Sequence, residues 1–242
     1  MEKVIEVQDL HKSFPGKDVL TGINFYVNKG ENLVIIGRSG EGKSITLKCI
    51  TGLIEPDKGT VKVFDKDVTE LDEEGLKELR CKMGYLFQGG ALYDSMSVRE
   101  NLAFPLKRVL GIRNEEELEK KSMEVLEAVD LADTMDKMPS ELSGGMRKRM
   151  ALARTLIVQP EIILYDEPTT GLDTMTSLEI SKLILKMQQQ FQTTSIVVTH
   201  DMQCAKTIAD RIAVISEGKC ICSGTYEELE NSDNEFVRSF FN

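Results

Sequence analysis

The chain has 242 residues, 41% of them hydrophobic and 29% charged, which is the balance of a soluble globular protein large enough to bury a core without staples. A net charge of -10 excludes a sequence-independent nucleic-acid binder, which needs a basic stripe to displace phosphate counterions. The five cysteines (Cys49, Cys81, Cys204, Cys220 and Cys222) are odd in number and irregular in spacing, so they predict reduced thiols in a cytosolic protein rather than a disulfide framework. Cys220 and Cys222 share one face of a strand, but no further ligand cluster accompanies them.

The N-terminus, MEKVIEVQDL, lacks the basic and apolar regions of a signal peptide. Val4 to Leu10 alternates apolar with polar residues and predicts a half-buried strand. Asn32 to Ile36 predicts a short buried strand ending at Gly37. Ile45 to Leu53 predicts a helix stopped by Gly52 and Pro56, and Thr60 to Phe64 another strand. From about Val98 to Leu156 no strand is evident. Leu118, Val125 and Val129 mark one face of an amphipathic helix, with Glu115, Glu116 and Glu117 at its positive end. Ile162 to Tyr165 and Ser195 to Thr199 are β-branched apolar runs of the kind found in central parallel strands. Between them Ile180, Ile184, Met187 and Phe191 recur at helical spacing. The longest apolar runs are far too short to span a bilayer, so any work on a membrane is expected to go through partners. Strand and helix alternate, so the expected class is α/β, with an α-helical insert at about residues 90–156 of a single 1–242 domain.

Gly37-Arg38-Ser39-Gly40-Glu41-Gly42-Lys43-Ser44, followed by Ile45, fits the P-loop pattern between a strand and a helix. The glycines let backbone N–H groups converge on phosphates, and the helix N-terminus adds positive potential. Lys43 is expected to neutralise the β- and γ-phosphates and the Ser44 hydroxyl to ligate Mg²⁺. The run Ile162 to Tyr165 delivers two carboxylates, Asp166 for Mg²⁺ and Glu167 beside the attacking water. Each nucleotide motif occurs once. The basic run Arg147, Lys148, Arg149 is expected to be a solvated helix face.

At Leu142-Ser143-Gly144-Gly145-Met146 the sequence resembles the ABC ATPase family, whose signature is usually LSGGQ. The resemblance covers roughly Val4 to Leu229. It implies a P-loop NTPase fold: a RecA-like parallel-sheet core, an N-terminal antiparallel β-subdomain and an inserted α-helical subdomain. By resemblance Gln88 is the Q-loop glutamine and a Mg²⁺ contact, Thr170 to Asp173 the D-loop, and His200 the switch histidine. Phe14 is the aromatic residue that stacks on adenine. The resemblance also implies ATP hydrolysis by a head-to-tail homodimer. In it Ser143, Gly144 and Gly145 of one subunit meet the γ-phosphate held by the other's P-loop.

Phe87 to Tyr93, Val98 to Leu106 and Ser143 to Arg149 narrow the resemblance to the ATPases of Mla/Mce-type phospholipid-trafficking transporters, where methionine also replaces the signature glutamine. That implies a multi-span permease partner and a place on the cytoplasmic face of the inner membrane, and it leaves open an Mce-type lipid-binding protein and a small regulatory subunit as further partners. The sequence after Phe241 shows no long C-terminal arm of the sort some of those relatives use to grip a neighbouring subunit. A small-solute importer and a non-transport ABC ATPase of cell division or iron–sulfur assembly remain the alternatives. The apolar segment Gln88 to Leu106 is expected to dock the permease.

Overall fold

A computed structural model describes residues 2–241. Strands β1 (Lys3–Phe14) and β2 (Lys17–Asn28) form a long hairpin. The chain then enters β3 (Asn32–Ile36), all five residues of which are buried, and passes through the glycine-rich loop into α1 (Lys43–Ile50). Strands β4 (Lys58–Val63) and β5 (Lys66–Asp67) return to the hairpin and complete an antiparallel sheet in the order β2-β1-β4-β5. After α2 (Glu73–Cys81) and β6 (Met83–Leu86) come three longer helices: α3 (Val98–Val109), α4 (Glu115–Ala128) and α5 (Gly144–Leu156). Strand–helix units resume with β7 (Ile162–Asp166), α6 (Thr174–Phe191), β8 (Thr194–Val198), α7 (Met202–Ile208) and β9 (Arg211–Ser216). The edge strand β10 (Lys219–Gly224) and two short helices, α8 (Tyr226–Glu230) and α9 (Glu235–Arg238), follow. The second sheet runs β10-β9-β3-β8-β7-β6 and is parallel except for β10.

The apolar runs of the central strands are continuous because both faces of this sheet are covered. Leu33 and Ile35 of β3, with Leu164 of β7 and Ile196 of β8, face the antiparallel sheet and α1. Val34, Ile36, Tyr165 and Val197 face the other way, into a cluster shared with the helices. α3 and α4 contribute Leu102, Leu106, Leu118 and Val125 to that second cluster. Asn114 caps α4 by accepting from the Glu117 N–H at 2.9 Å, which places Glu115, Glu116 and Glu117 in the first turn.

Several sequence expectations shift in detail. The helix expected from Ile45 begins at Lys43 and ends at Ile50, because Gly52 adopts φ 64 and turns the chain. β1 runs past Leu10 to Phe14 through a register shift at Asp9, whose φ is 47, so its alternation breaks where the strand continues. No strand was expected at β2, β5, β6 or β9, and the strand read at Cys220 and Cys222 is β10. The basic run is not a solvated face. Arg147 binds Asp94 at 3.1 Å and Pro139 O at 3.0 Å, and Arg149 binds Asp130 at 2.9 Å and Glu179 at 3.1 Å. Lys148 donates to the backbone carbonyl of Gln88. Its burial lowers the amine's pKa below the ordinary lysine range.

Candidate active site

The loop between β3 and α1 can take its path only with glycine at two points. A Cβ on Gly37 would lie 2.5 Å from the Ile215 carbonyl oxygen. One on Gly42, which has φ +91, would lie 2.4 Å from Leu20 Cδ2. Within this loop the Lys43 ammonium donates to Gly37 O at 2.8 Å and Arg38 O at 2.9 Å. Burial lowers its pKa, and the negative charges of Glu167, Glu41 and Asp166 oppose that shift in that order. A cation held close to backbone N–H groups at a helix start is suited to a polyphosphate.

β7 runs beside β3's neighbour β8 and ends at the mouth of this loop. There the Ser44 hydroxyl donates to Asp166 Oδ1 at 2.7 Å, and the Tyr85 hydroxyl donates to Asp166 Oδ2 at 3.1 Å. Glu167 follows with φ 53, a left-handed backbone that costs energy for a side chain this large. Its Oε2 accepts from Thr170 Oγ at 3.1 Å and lies 2.8 Å from His200 Nδ1. A carboxylate only accepts, so Nδ1 carries the proton in this pair and Nε2 remains available. Hydroxyl and carboxylate oxygens brought together by Ser44 and Asp166 are hard donors. Two such ligands suit Mg²⁺, which keeps water and phosphate oxygens for its remaining positions.

A cleft of 610 Å³ joins these groups. Phe14, Val19 and Ile45 form its apolar part. Ser39, Gly40, Gly42, Lys43, Ser44, Gln88, Glu167 and His200 form the polar part. Phe14 is 41% exposed, with the Lys12 ammonium over its ring at 5.8 Å from the centre; an exposed aromatic ring beside the cleft suits stacking on a flat partner. Gly37, Arg38 and Glu41 belong to the loop but do not line the cleft. Asp166 reaches it through Ser44. Sequence reasoning missed Val19 and Tyr85, and it placed Thr170 in the D-loop without its bond to Glu167. Val19 lies in the unassigned strand β2, and nothing in the local sequence marks the Tyr85 hydroxyl as a partner of a residue 81 positions away.

Ser143, Gly144 and Gly145 do not join the cleft. They begin α5, with Ser143 as its cap, accepting from the Met146 N–H at 3.3 Å. Ser143 and Gly144 are exposed, and Gly145 packs so near Thr176 that an added Cβ would lie 2.9 Å from its Cγ2. An exposed helix N-terminus with a serine cap presents free N–H groups to an anion. The Met146 side chain turns away and packs against the helical core. Met146→Gln leaves the Ser143 cap and the helix N–H groups in place, so it should change the rate of the expected ATP hydrolysis by no more than a few fold. Steady-state phosphate release checks this, and complete loss of turnover would assign the methionine a specific contact.

A glycine-rich phosphate loop, a strand-end carboxylate pair and a helix-borne serine signature define the ATP-binding cassette class of P-loop proteins. Residues 20–170 match the ABC transporter family model. The chain is 38% identical over 242 residues to the probable ribonucleotide transport ATP-binding protein mkl of Mycobacterium leprae (strain TN), covering 100% of this chain and 70% of that one. It is 39% identical over 226 residues to the methionine import ATP-binding protein MetN of Clostridium tetani (strain Massachusetts / E88), covering 93% and 70%. It is 38% identical over 254 aligned residues to the chloroplastic protein Trigalactosyldiacylglycerol 3 of Arabidopsis thaliana, covering 98% and 73%. The chain thus spans about two thirds to three quarters of the length of these curated relatives.

Among solved structures, the dimeric ATP-binding cassette MJ0796, in a post-hydrolysis state bound to ADP and Pi, superposes with a TM-score of 0.83 at 31% identity, covering 91% of this chain and 98% of that one. The chain belongs to the ABC transporter family. It is an ATP-binding subunit whose activity is ATP hydrolysis coupled to transport, with ATP and Mg²⁺ as nucleotide and metal. Among the described residues no helix is long and apolar enough to cross a membrane.

Proposed function

We propose that this chain drives an envelope phospholipid transporter of the Mla/Mce type, as a homodimer bound to a multi-span permease at the cytoplasmic face of the inner membrane. The observation that carries the lipid reading is that its three diagnostic segments form one physical unit. Lys148 holds Gln88 O, Arg147 holds Asp94, and Arg154 donates to Ala91 O and lies 4.4 Å from the centre of the Tyr93 ring. Tyr93 in turn meets Phe104 at 5.2 Å. The Met-Arg-Lys-Arg variant of the signature thus sets the shape of the segment that leads to the permease. The name of the Arabidopsis thaliana relative contains a galactolipid, trigalactosyldiacylglycerol, which supports a glycerolipid cargo without naming its headgroup.

The residue roles follow from the site. Phe14 stacks the adenine, and the P-loop residues Gly37 to Ile45 wrap the phosphates. Ser44, Asp166 and Gln88 would hold Mg²⁺, which would supply charge neutralisation for the phosphates. Glu167 takes the proton of the attacking water, and His200 orients that carboxylate and faces the γ-phosphate. Ser143, Gly144 and Gly145 serve the cleft of the other subunit. An Mce-type lipid-binding protein and a small regulatory subunit complete the assembly. The helices α3 to α5 act as a subdomain of about residues 90–156 within the single 1–242 domain.

The docking face is narrower than the sequence implies. Val98, Leu102 and Leu106 are fully buried in the helical core, and Leu92 is half-buried against it. A charge at Leu92 would therefore test folding as much as docking. The accessible surface is a cleft of 190 Å³ lined by Phe87, Gly90, Ala91, Pro105 and Arg154 among others. Ala91 is exposed and has φ 50, a backbone that aspartate tolerates well. Ala91→Asp should leave the chain folded and able to bind ATP while abolishing co-purification with the permease and uncoupling hydrolysis from lipid transfer. Pull-down from detergent-solubilised membranes beside a transfer assay checks this. Unchanged association would move docking elsewhere.

A second reading is favoured by the methionine import relatives: a small-solute importer. Purification of the assembly from membranes, with identification of the co-purifying chains and ligand, separates the two. A bound glycerophospholipid supports the first reading, and a bound amino acid the second.

A further inference from the structure

Asp166 is held on both oxygens, and only one of its two partners belongs to the phosphate loop. Ser44 reaches Oδ1. That hydroxyl is also the one expected to meet Mg²⁺ through an oxygen lone pair, so it serves the metal and the carboxylate at once. The partner on Oδ2 is Tyr85, from β6, the strand paired in parallel with β7. Its ring is wedged against the apolar cluster beneath the sheet and stacked on Phe87 at 4.2 Å between centroids, with 29° between planes. The phenol therefore has little freedom to swing away. A phenol is a neutral donor throughout the physiological range.

We propose that Tyr85 is a positioning residue for the metal. Its hydroxyl fixes the Asp166 carboxylate so that Oδ1 is presented to Mg²⁺, and Phe87 fixes the ring that carries the hydroxyl. The inference rests on the reading of Asp166 as the metal-facing carboxylate. Outer hydrogen bonds of this kind raise metal affinity by orienting a ligand in advance, and removing one typically costs about 10- to 100-fold in affinity.

The probe is Mn²⁺, titrated by electron paramagnetic resonance into the full chain saturated with ADP. Tyr85→Phe, which keeps the stack and removes one oxygen, should weaken Mn²⁺ binding about tenfold. Its ADP affinity in EDTA and its melting temperature should stay at wild-type values. Phe87→Leu should give a smaller loss in the same direction. Asp166→Asn is the control. If it leaves Mn²⁺ affinity unchanged, the reading of Asp166 fails and this inference with it. If Asp166→Asn weakens the metal and Tyr85→Phe does not, Tyr85 is only a packing residue and the inference alone is overturned. A parallel loss of metal-free ADP affinity in Tyr85→Phe would likewise make its role general packing.

Discussion

Glu167→Gln is expected to bind ATP with wild-type affinity and to turn it over at least about 100-fold more slowly, since a positioned general base contributes roughly 10²- to 10⁴-fold. The substitution is close to isosteric. A glutamine oxygen can still accept from Thr170 Oγ and His200 Nδ1, so the contacts seen at 3.1 Å and 2.8 Å survive. The strained backbone at φ 53 is inherited unchanged. What is lost is the capacity to take a proton from water. Nucleotide binding should then outlast hydrolysis, and ATP should accumulate the variant as a stable dimer on gel filtration. Wild-type turnover would remove Glu167 from the role of base.

The second large effect is a rescue. Lys43→Ala removes the ammonium that now bridges Gly37 O and Arg38 O, and the chain should lose ATP affinity and activity. Ser143→Arg leaves Lys43 intact but places a bulky cation at an exposed helix start, where it can no longer cap Met146 N. Losing such a cap costs about 1 kcal/mol, too little to unfold a domain of this size. Each variant alone should be inactive. A mixture should recover activity, because a heterodimer pairs the good P-loop of one chain with the good signature of the other. Phosphate release by the mixed sample, with dimer formation verified by tagged pull-down, reads the result. Mixed dimers that form and stay inactive would show that the two half-sites do not complete each other.

The parts of the site that touch phosphate were visible in the sequence because their chemistry leaves few choices of residue. Gly42 has no alternative beside Leu20 Cδ2, and the strand-end pair Asp166 and Glu167 follows a run too apolar to be anything but a buried strand. What escaped notice depends on residues far apart in the chain. β6 has only four residues, and its pairing with β7 skips the whole helical region. The role of Tyr85 is set by that pairing, not by its neighbours. The basic run Arg147, Lys148 and Arg149 looked like a solvated face because its partners Asp94, Gln88 and Glu179 come from other elements. The segment Gln88 to Leu106 looked like one docking surface for the same reason, since the core that buries its Val98, Leu102 and Leu106 is assembled only when α3 packs.

The separation of Ser143 from the cleft has a genetic consequence. If every catalytic centre borrows one part from each of two subunits, a normal and a defective chain share the centres of the pair they form. In a cell making equal amounts of wild-type and Glu167→Gln subunits, random pairing leaves only about one quarter of dimers with two unaltered copies. About half of the dimers are mixed, and each of these keeps one complete centre, the normal chain's P-loop and Glu167 against the mutant's unaltered Ser143, so the defect should be partial rather than fully dominant.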